Sequence, residues 1–66
     1  MNRISIVIPV YNRSDYLPRL FRSLEAISYD GFEVILVDNA STDNSLALCQ
    51  QFALRSSISV KVVEES

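Results

Sequence analysis

The sequence predicts an α/β fold in which a parallel, Rossmann-like sheet of three strands alternates with two helices. Three short apolar runs rich in β-branched residues, at 4–10, 33–38 and 58–64, indicate strands. The segments between them, 14–28 and 43–55, carry apolar residues at helical spacing. The order β-α-β-α-β is typical of a parallel sheet with helical crossovers, and right-handed crossovers in one direction give the spatial order 3-2-1. Both helices then lie on one face of the sheet.

The length of 66 residues allows one domain at most, which we place at 1–66. With 48% hydrophobic residues, 21% charged residues and a net charge of −2, the composition is that of a soluble globular protein. This charge excludes a basic nucleic-acid groove, and the grouping of Arg13, Arg19 and Arg22 among acidic residues indicates a solvated helix face. No apolar run approaches the ~20 residues of a membrane span and no secretory signal is present, so we predict a cytoplasmic protein.

The first strand, at 4–10, is followed by the first helix. Pro9 and Asn12 are the residues that terminate this strand. Ser14 or Asp15 can cap this helix. Pro18 favours Asp15 as the cap, because Pro18 then occupies the third helical position, where an N–H has no helical partner. The residues of this helix predicted to face the core are Leu17, Leu20, Phe21, Leu24 and Ile27.

The second strand, reached through a turn at 29–32, is apolar at every position of 34–37, which is typical of a strand buried on both faces. In the helix that follows, the residues predicted to face inward are Leu46, Cys49, Phe52 and Ala53. Cys49 has no second cysteine to pair with and no histidine to activate it, so we predict that its thiol is buried as a small apolar group. The third strand alternates, with Ser59 and Lys61 opposite its valines, as suits the edge of a sheet.

The sequence also predicts that this sheet is half of a larger one. The first strand is apolar almost throughout, yet the order 3-2-1 leaves it at an edge, and the face that includes Val7 has no helix to cover it. A missing half would pair with the first strand and cover that face. Without that half we expect homo-oligomers, with two-fold pairing of first-strand edges favoured over stacking of the uncovered faces.

An aromatic residue follows the first strand at the place where open parallel sheets bind their ligands, beyond the carboxyl ends of the strands. Pro9 stiffens the end of the strand and withholds a backbone donor. Tyr11 presents a ring that can stack on a nucleobase. The alternative is that Tyr11 only packs its loop against the second helix.

The loop after the second strand is more specific. Asp38 and Asn39 leave the strand in succession, so their side chains point to opposite sides, and one can brace the loop while the other faces a ligand. Ser41, Thr42 and Asp43 are good helix N-caps, and for Ser41 and Asp43 this capping role is favoured. Asn39 is not placed to cap, so ligand binding is favoured for it.

Taken together, the segments 6–13, 23–24 and 32–43 resemble the start of a family-2 glycosyltransferase of GT-A fold. The first contains Pro-Val-Tyr-Asn, and the third contains Asp-Asn-Ala-Ser-Thr-Asp. The resemblance implies an enzyme that transfers a sugar, with inversion, from a nucleotide-diphosphate donor to an acceptor hydroxyl. It also implies that the chain is a truncated half of a GT-A domain that supplies the nucleoside-binding loops.

The resemblance assigns nucleotide binding to Pro9, Val10, Tyr11, Asp38 and Asn39. The first loop would wrap the nucleoside, with the Tyr11 ring on the base. Asn39 stands where an acidic residue commonly accepts a hydrogen bond from the pyrimidine N3–H, and an amide oxygen can accept the same bond. Asp38 would order its loop and contact the ribose. The Asp-Asn variant is similar to that of some rhamnosyl- and related deoxysugar transferases, so we expect a UDP- or dTDP-type sugar donor.

Enzymes of the family hold Mg²⁺ or Mn²⁺ on the diphosphate through an Asp-x-Asp motif, and this motif and the catalytic base would both lie beyond residue 66. Glu64 and Glu65 are adjacent on a strand and point apart, which indicates a solvated strand end. We therefore assign no catalytic and no metal-binding residue here, and expect the chain alone to transfer no sugar. Two other classes of protein are alternatives to a glycosyltransferase: a non-catalytic α/β interaction module and a receiver-like domain. The receiver-like domain is disfavoured, because Val10 and Tyr11 stand where it needs an acidic pair at the end of the first strand.

Overall fold

The computed structural model describes residues 4–27 and 31–65. Its elements, in chain order, are β1 (Ile4–Val10), α1 (Leu17–Glu25), β2 (Phe32–Asn39), α2 (Ser45–Arg55) and β3 (Ser59–Glu65). The three strands form one parallel sheet in the order β1-β2-β3. The predicted fold class and strand order are therefore confirmed.

The two helices cover one face of this sheet. Along β2 the burial alternates, with Val34 and Leu36 fully buried and Ile35 and Val37 partly exposed. The buried core contains residues of both helices together with strand residues from the covered face: Val10, Leu17, Phe21, Leu24, Phe32, Val34, Leu36, Cys49 and Phe52. The stacked rings of Phe21 and Phe52, whose centroids lie 4.1 Å apart, join α1 to α2. The predicted burial of Cys49 is confirmed, since its side chain is 0% exposed.

Within residues 4–27 and 31–65, the opposite face carries apolar side chains with no helix over them. By register, Val7 lies beside Ile35, Pro9 beside Val37, and Val37 beside Val63. Val7 is 59% exposed and Val63 is 42% exposed. We call the surface formed by these five residues the uncovered face. Its presence on the described part of the chain agrees with the sequence prediction.

Several predicted boundaries and caps need correction. The N-cap of α1 is Tyr16 and makes no side-chain cap bond, so the prediction of Asp15 or Ser14 as the cap is wrong. The reason is a turn before the helix, in which the N–H groups of Tyr16 and Leu17 both donate to the Arg13 carbonyl at 2.9 Å. Pro18 then occupies the second helical position.

The end of α1 also differs from the prediction. The helix ends at Glu25, and Ile27, predicted to face the core, is 41% exposed because it lies beyond the helix. The predicted end at residue 28 and the turn residues 29–30 lie outside the described residues. Phe32, placed in the turn, is instead the first residue of β2. None of the described helices is long and apolar enough to cross a lipid bilayer.

Candidate functional site

The candidate site lies where β1 and β2 end. Val10 and Asp38 are partners in the sheet register, so the two loops that follow them begin side by side. We call residues 11–16 the first loop and residues 40–44 the second loop. The carboxyl edge of an open parallel sheet is the usual position of a ligand, and both predicted loops meet there.

Asp38 is built into the base of the second loop. Its carboxylate is 1% exposed. Oδ2 accepts a hydrogen bond from the Ser41 backbone N at 3.1 Å, and Oδ1 accepts one from the Ser41 hydroxyl at 2.6 Å. Asn39, the next residue, is exposed. The two side chains thus divide as the strand geometry predicts, with Asp38 bracing the loop and Asn39 facing outward.

Asn12 connects the first loop to the second. Its backbone N donates to the Ser41 hydroxyl at 3.0 Å, and its side-chain Oδ1 accepts from the Thr42 backbone N at 2.8 Å. The Thr42 hydroxyl lies 3.3 Å from the same oxygen. With the bonds from Ser41 to Asp38, these contacts form one network, which we call the loop clasp: Asn12, Asp38, Ser41 and Thr42.

A second set of bonds links the start of α2 to the first loop. The Arg13 backbone N donates to the Ser45 hydroxyl at 2.7 Å, and the Ser14 backbone N donates to Asp43 Oδ2 at 3.1 Å. The other oxygen of Asp43 accepts from the Ser45 backbone N at 2.9 Å. Hydrogen bonds from Ser45, and then from Ser14, hold the pKa of Asp43 well below its ordinary value, although partial desolvation opposes them.

These contacts correct the predicted capping of α2. The N-cap residue is Asn44, which makes no side-chain cap bond. The capping prediction is wrong for Ser41, because its hydroxyl bonds to Asn12 and Asp38 instead. Asp43 keeps part of the predicted role, since it accepts a bond from the first residue of the helix, Ser45.

The remaining predicted site residues differ in what they can offer a ligand. Tyr11 is 58% exposed, so this residue is not packed into the core and is accessible to a ligand. Pro9 and Asn39 are also exposed. The Val10 side chain is 1% exposed and forms part of the core, so Val10 could meet a ligand only through its backbone.

Sequence reasoning did not assign the cross-loop roles of Asn12, Ser41 and Ser45. Asn12 has a positive φ of 51°. The sequence held a signal for this conformation, because asparagine is one of the few residues that readily adopt positive φ. The hydroxyls of Ser41 and Ser45 resemble ordinary helix-capping groups, and capping partners are local in sequence. Their partners lie 29 and 32 residues away, a distance that no local pattern reports.

Several carboxylates lie near the carboxyl end of the described sheet. In the described ranges, no group of three or more His, Cys, Asp or Glu side chains is placed to hold a metal ion. Glu64 and Glu65 are both exposed and occupy successive positions of β3, which point to opposite faces of the sheet.

Comparison with known proteins places this arrangement in a family. The profile of glycosyl transferase family 2 matches residues 5–66. Glycosyltransferase GlyG of Streptococcus pneumoniae serotype 4 is 40% identical over 79% of this chain and 17% of its own length. The undecaprenyl-phosphate 4-deoxy-4-formamido-L-arabinose transferase of Pseudomonas savastanoi pv. phaseolicola is 48% identical over 80% of the chain and 17% of its own length. Its counterpart in Pseudomonas aeruginosa is 43% identical over 91% of the chain and 19% of its own length.

No solved structure gives a significant match. The chain spans less than a fifth of the length of each of these relatives. The family match extends over nearly the whole sequence and includes both loops of the candidate site. This chain belongs to glycosyltransferase family 2.

Proposed function

We propose that the chain is the nucleoside-binding part of a longer glycosyltransferase that moves a sugar from a nucleotide-diphosphate donor to an acceptor hydroxyl with inversion. One observation carries this proposal. Tyr11 and Asn39 are both exposed, and they flank the carboxyl ends of two adjacent parallel strands. An aromatic ring and an amide at one sheet edge suit a nucleobase, which offers a flat face and a polar edge.

Each residue has a distinct role in this proposal. The Tyr11 ring stacks on the base, a contact worth about 1–3 kcal/mol where such stacking has been removed. The Asn39 amide accepts from a pyrimidine N3–H and donates to a neighbouring base carbonyl, which suits UDP- or dTDP-type donors. Pro9 and the Val10 backbone line the nucleoside, and Asp38 keeps the second loop in place and contacts the ribose.

The metal and the acceptor lie outside this part of the proposal. In residues 4–27 and 31–65, no group of three or more His, Cys, Asp or Glu side chains is placed to hold the Mg²⁺ or Mn²⁺ that the family resemblance implies. We therefore expect the 66-residue chain alone to transfer no sugar with either metal. The names of the Pseudomonas relatives carry undecaprenyl phosphate, so a lipid phosphate is the second acceptor class to test beside hydroxyl compounds.

The experiment is a kinetic comparison in the full-length protein that carries this sequence. Asn39→Ala removes one hydrogen-bonding side chain, so we expect the donor KM to rise about 2- to 10-fold, equivalent to about 0.5–1.5 kcal/mol, with no change in the acceptor KM. Asn44→Ala is the matched control, because Asn44 is an exposed amide in the loop that follows Asn39 and makes no side-chain cap bond. An unchanged donor KM in Asn39→Ala would remove Asn39 from the site.

The uncovered face supports a second proposal, that the isolated chain self-associates as an interaction module does. Val7 and Val63 expose apolar surface there, and the β1 edge has no neighbouring strand in the described sheet. Light scattering at micromolar concentration should give a mass above that of one chain. Val7→Lys should lower this mass, whereas Arg19→Lys on the helix side should not. A monomer mass at all concentrations would contradict the proposal.

A cytoplasmic location stays a prediction.

A further inference from the structure

We infer that Asn12 is a positioning residue for the donor nucleoside: its side chain sets the relative position of Tyr11 and Asn39 by tying the first loop to the second. This inference rests on the proposed function, because it assumes that Tyr11 and Asn39 contact the donor. Asn12 itself need not touch the ligand. Its side-chain oxygen bonds to Thr42, at the far side of the gap between the loops.

The backbone conformation on both sides of the gap is unusual. Asn12 has φ 51° and Ala40 has φ 55°, both in the left-handed region. Asn12 directly follows Tyr11, and Ala40 directly follows Asn39, so each proposed ligand contact adjoins a left-handed residue. Such a conformation is unfavourable for an ordinary L-residue and persists where surrounding contacts enforce it.

The loop clasp supplies those contacts as one continuous chain of bonds. Asp38 is buried in β2 and accepts from both the N–H and the hydroxyl of Ser41, which holds the turn that contains Ala40. The Ser41 hydroxyl in turn accepts from the Asn12 backbone, and the Asn12 side chain accepts from Thr42. Both loops are thereby fixed to the same buried carboxylate. A shift of either loop would break at least one of these bonds.

Asparagine combines the two properties that this position uses. It tolerates positive φ, and it offers a carbonyl oxygen to the Thr42 N–H. Glycine at this position keeps the backbone freedom but loses the acceptor, whereas aspartate keeps both an acceptor and tolerance of positive φ. The pair Asn12→Gly and Asn12→Asp therefore separates the side-chain bond from the backbone conformation.

The test uses steady-state kinetics of the full-length protein with its nucleotide-sugar donor. Asn12→Gly should raise the donor KM about 2- to 10-fold, the size of one lost hydrogen bond, while kcat and the acceptor KM change less than about 2-fold. Asn12→Asp should keep the donor KM near the wild-type value. Ser41→Ala breaks the same clasp from the other loop and should reproduce the selective rise. Combining Asn12→Gly with Ser41→Ala should raise the donor KM little more than either substitution alone, because the two residues act in one network.

Melting temperatures of all variants identify any that fails to fold. If Asn12→Gly does not fold, the donor KM of Ser41→Ala decides in its place. Tyr11→Ala and Asn39→Ala serve as references for the proposed function itself. If the references raise the donor KM while Asn12→Gly and Ser41→Ala do not, the inference is overturned and the proposed function stands. Equal losses in Asn12→Gly and Asn12→Asp also overturn it. If both references leave the donor KM unchanged, the proposed function fails, and the inference fails with it.

Discussion

The two faces of the sheet contain similar residues, but only one of them is covered. On the covered face, Val34 and Leu36 are 0% exposed beneath α1 and α2. On the uncovered face, Val7 is 59% exposed and Val63 is 42% exposed, although both are β-branched and apolar. The difference shows that the two helices bury only part of the apolar surface that this sheet presents. The uncovered face has the apolar composition of a buried surface, but no described element of this chain packs over it.

The largest expected effect comes from truncating adjacent residues of β2 that point to opposite faces. Leu36→Ala should lower the free energy of unfolding of the 66-residue chain by about 2–5 kcal/mol, because it leaves a cavity under the helices. Ile35→Ala should lower it by only about 1 kcal/mol, because the Ile35 side chain is already partly exposed. Urea unfolding at several chain concentrations measures both.

Equal losses from the two substitutions would break the comparison between the faces. They would mean that the uncovered face is buried in solution, and a dependence of the Ile35→Ala loss on chain concentration would identify another copy of the chain as the cover. In the full-length protein, the same pair of variants reports whether further parts of the chain cover this face.

A second, chemical comparison uses thiols on the two sides of the sheet. Burial, and then the charge of Asp38, raises the pKa of Cys49 to about 11. At pH 8 only about one Cys49 thiol in a thousand is then ionised, and the thiolate is the form that reacts with iodoacetamide. In the variant Val7→Cys, we expect the new thiol to be alkylated rapidly while Cys49 reacts only after urea is added.

Mass spectrometry of peptides from the same sample assigns the label to each cysteine, so both thiols are compared under identical conditions. Rapid labelling of Cys49 in the folded chain would show that the covered face opens readily. Slow labelling at position 7 would instead indicate that the uncovered face is occupied. A dilution series separates self-association from a change within one chain.

Much of the covered side of the molecule was predictable from the sequence. Periodicity located α1 and α2, and it placed Leu17, Phe21 and Phe52 in the core, where the structure has them. This succeeded because a helix that packs on one side repeats its apolar residues at a fixed spacing. The same reasoning failed for Ile27, whose spacing continues the pattern beyond the actual end of the helix.

The candidate site was only partly predictable. Asp38 and Asn39 were correctly assigned to opposite sides, because alternation along a strand is a property of the backbone itself. The partners of Ser41 and Asn12 were not predicted, since their bonds join loops that are distant in sequence. Hydroxyl and amide groups have several possible local partners, and only the assembled sheet brings the two loops together.

The smallest expected effect concerns the polar end of the sheet, where hydrogen bonds rather than apolar contacts join the loops. The pKa of Asp43 is lowered in the folded chain, so its ionised form stabilises the fold. This contribution is present in full at pH values above the ordinary pKa of 3.8 and is lost as the pH falls below that value. Asp43→Asn should therefore reduce stability at pH 7 and make the decline below about pH 4 shallower. Asp15→Asn, at an exposed carboxylate of the first loop, is the control.

Melting temperatures across this pH range would measure the effect, with amide hydrogen exchange at Ser14 and Ser45 as a local readout, since both backbone N–H groups donate to Asp43. We expect the protection factors of these two amides, which allow for the pH dependence of the intrinsic exchange rate, to fall in acid more than that of Leu36, because the loops can loosen while the covered face stays packed. If Ser14, Ser45 and Leu36 lose protection together, the loops and the core form one cooperative unit. The difference in stability between the two sheet faces would then be larger than any difference in stability between the core and the loops at the polar end of the sheet.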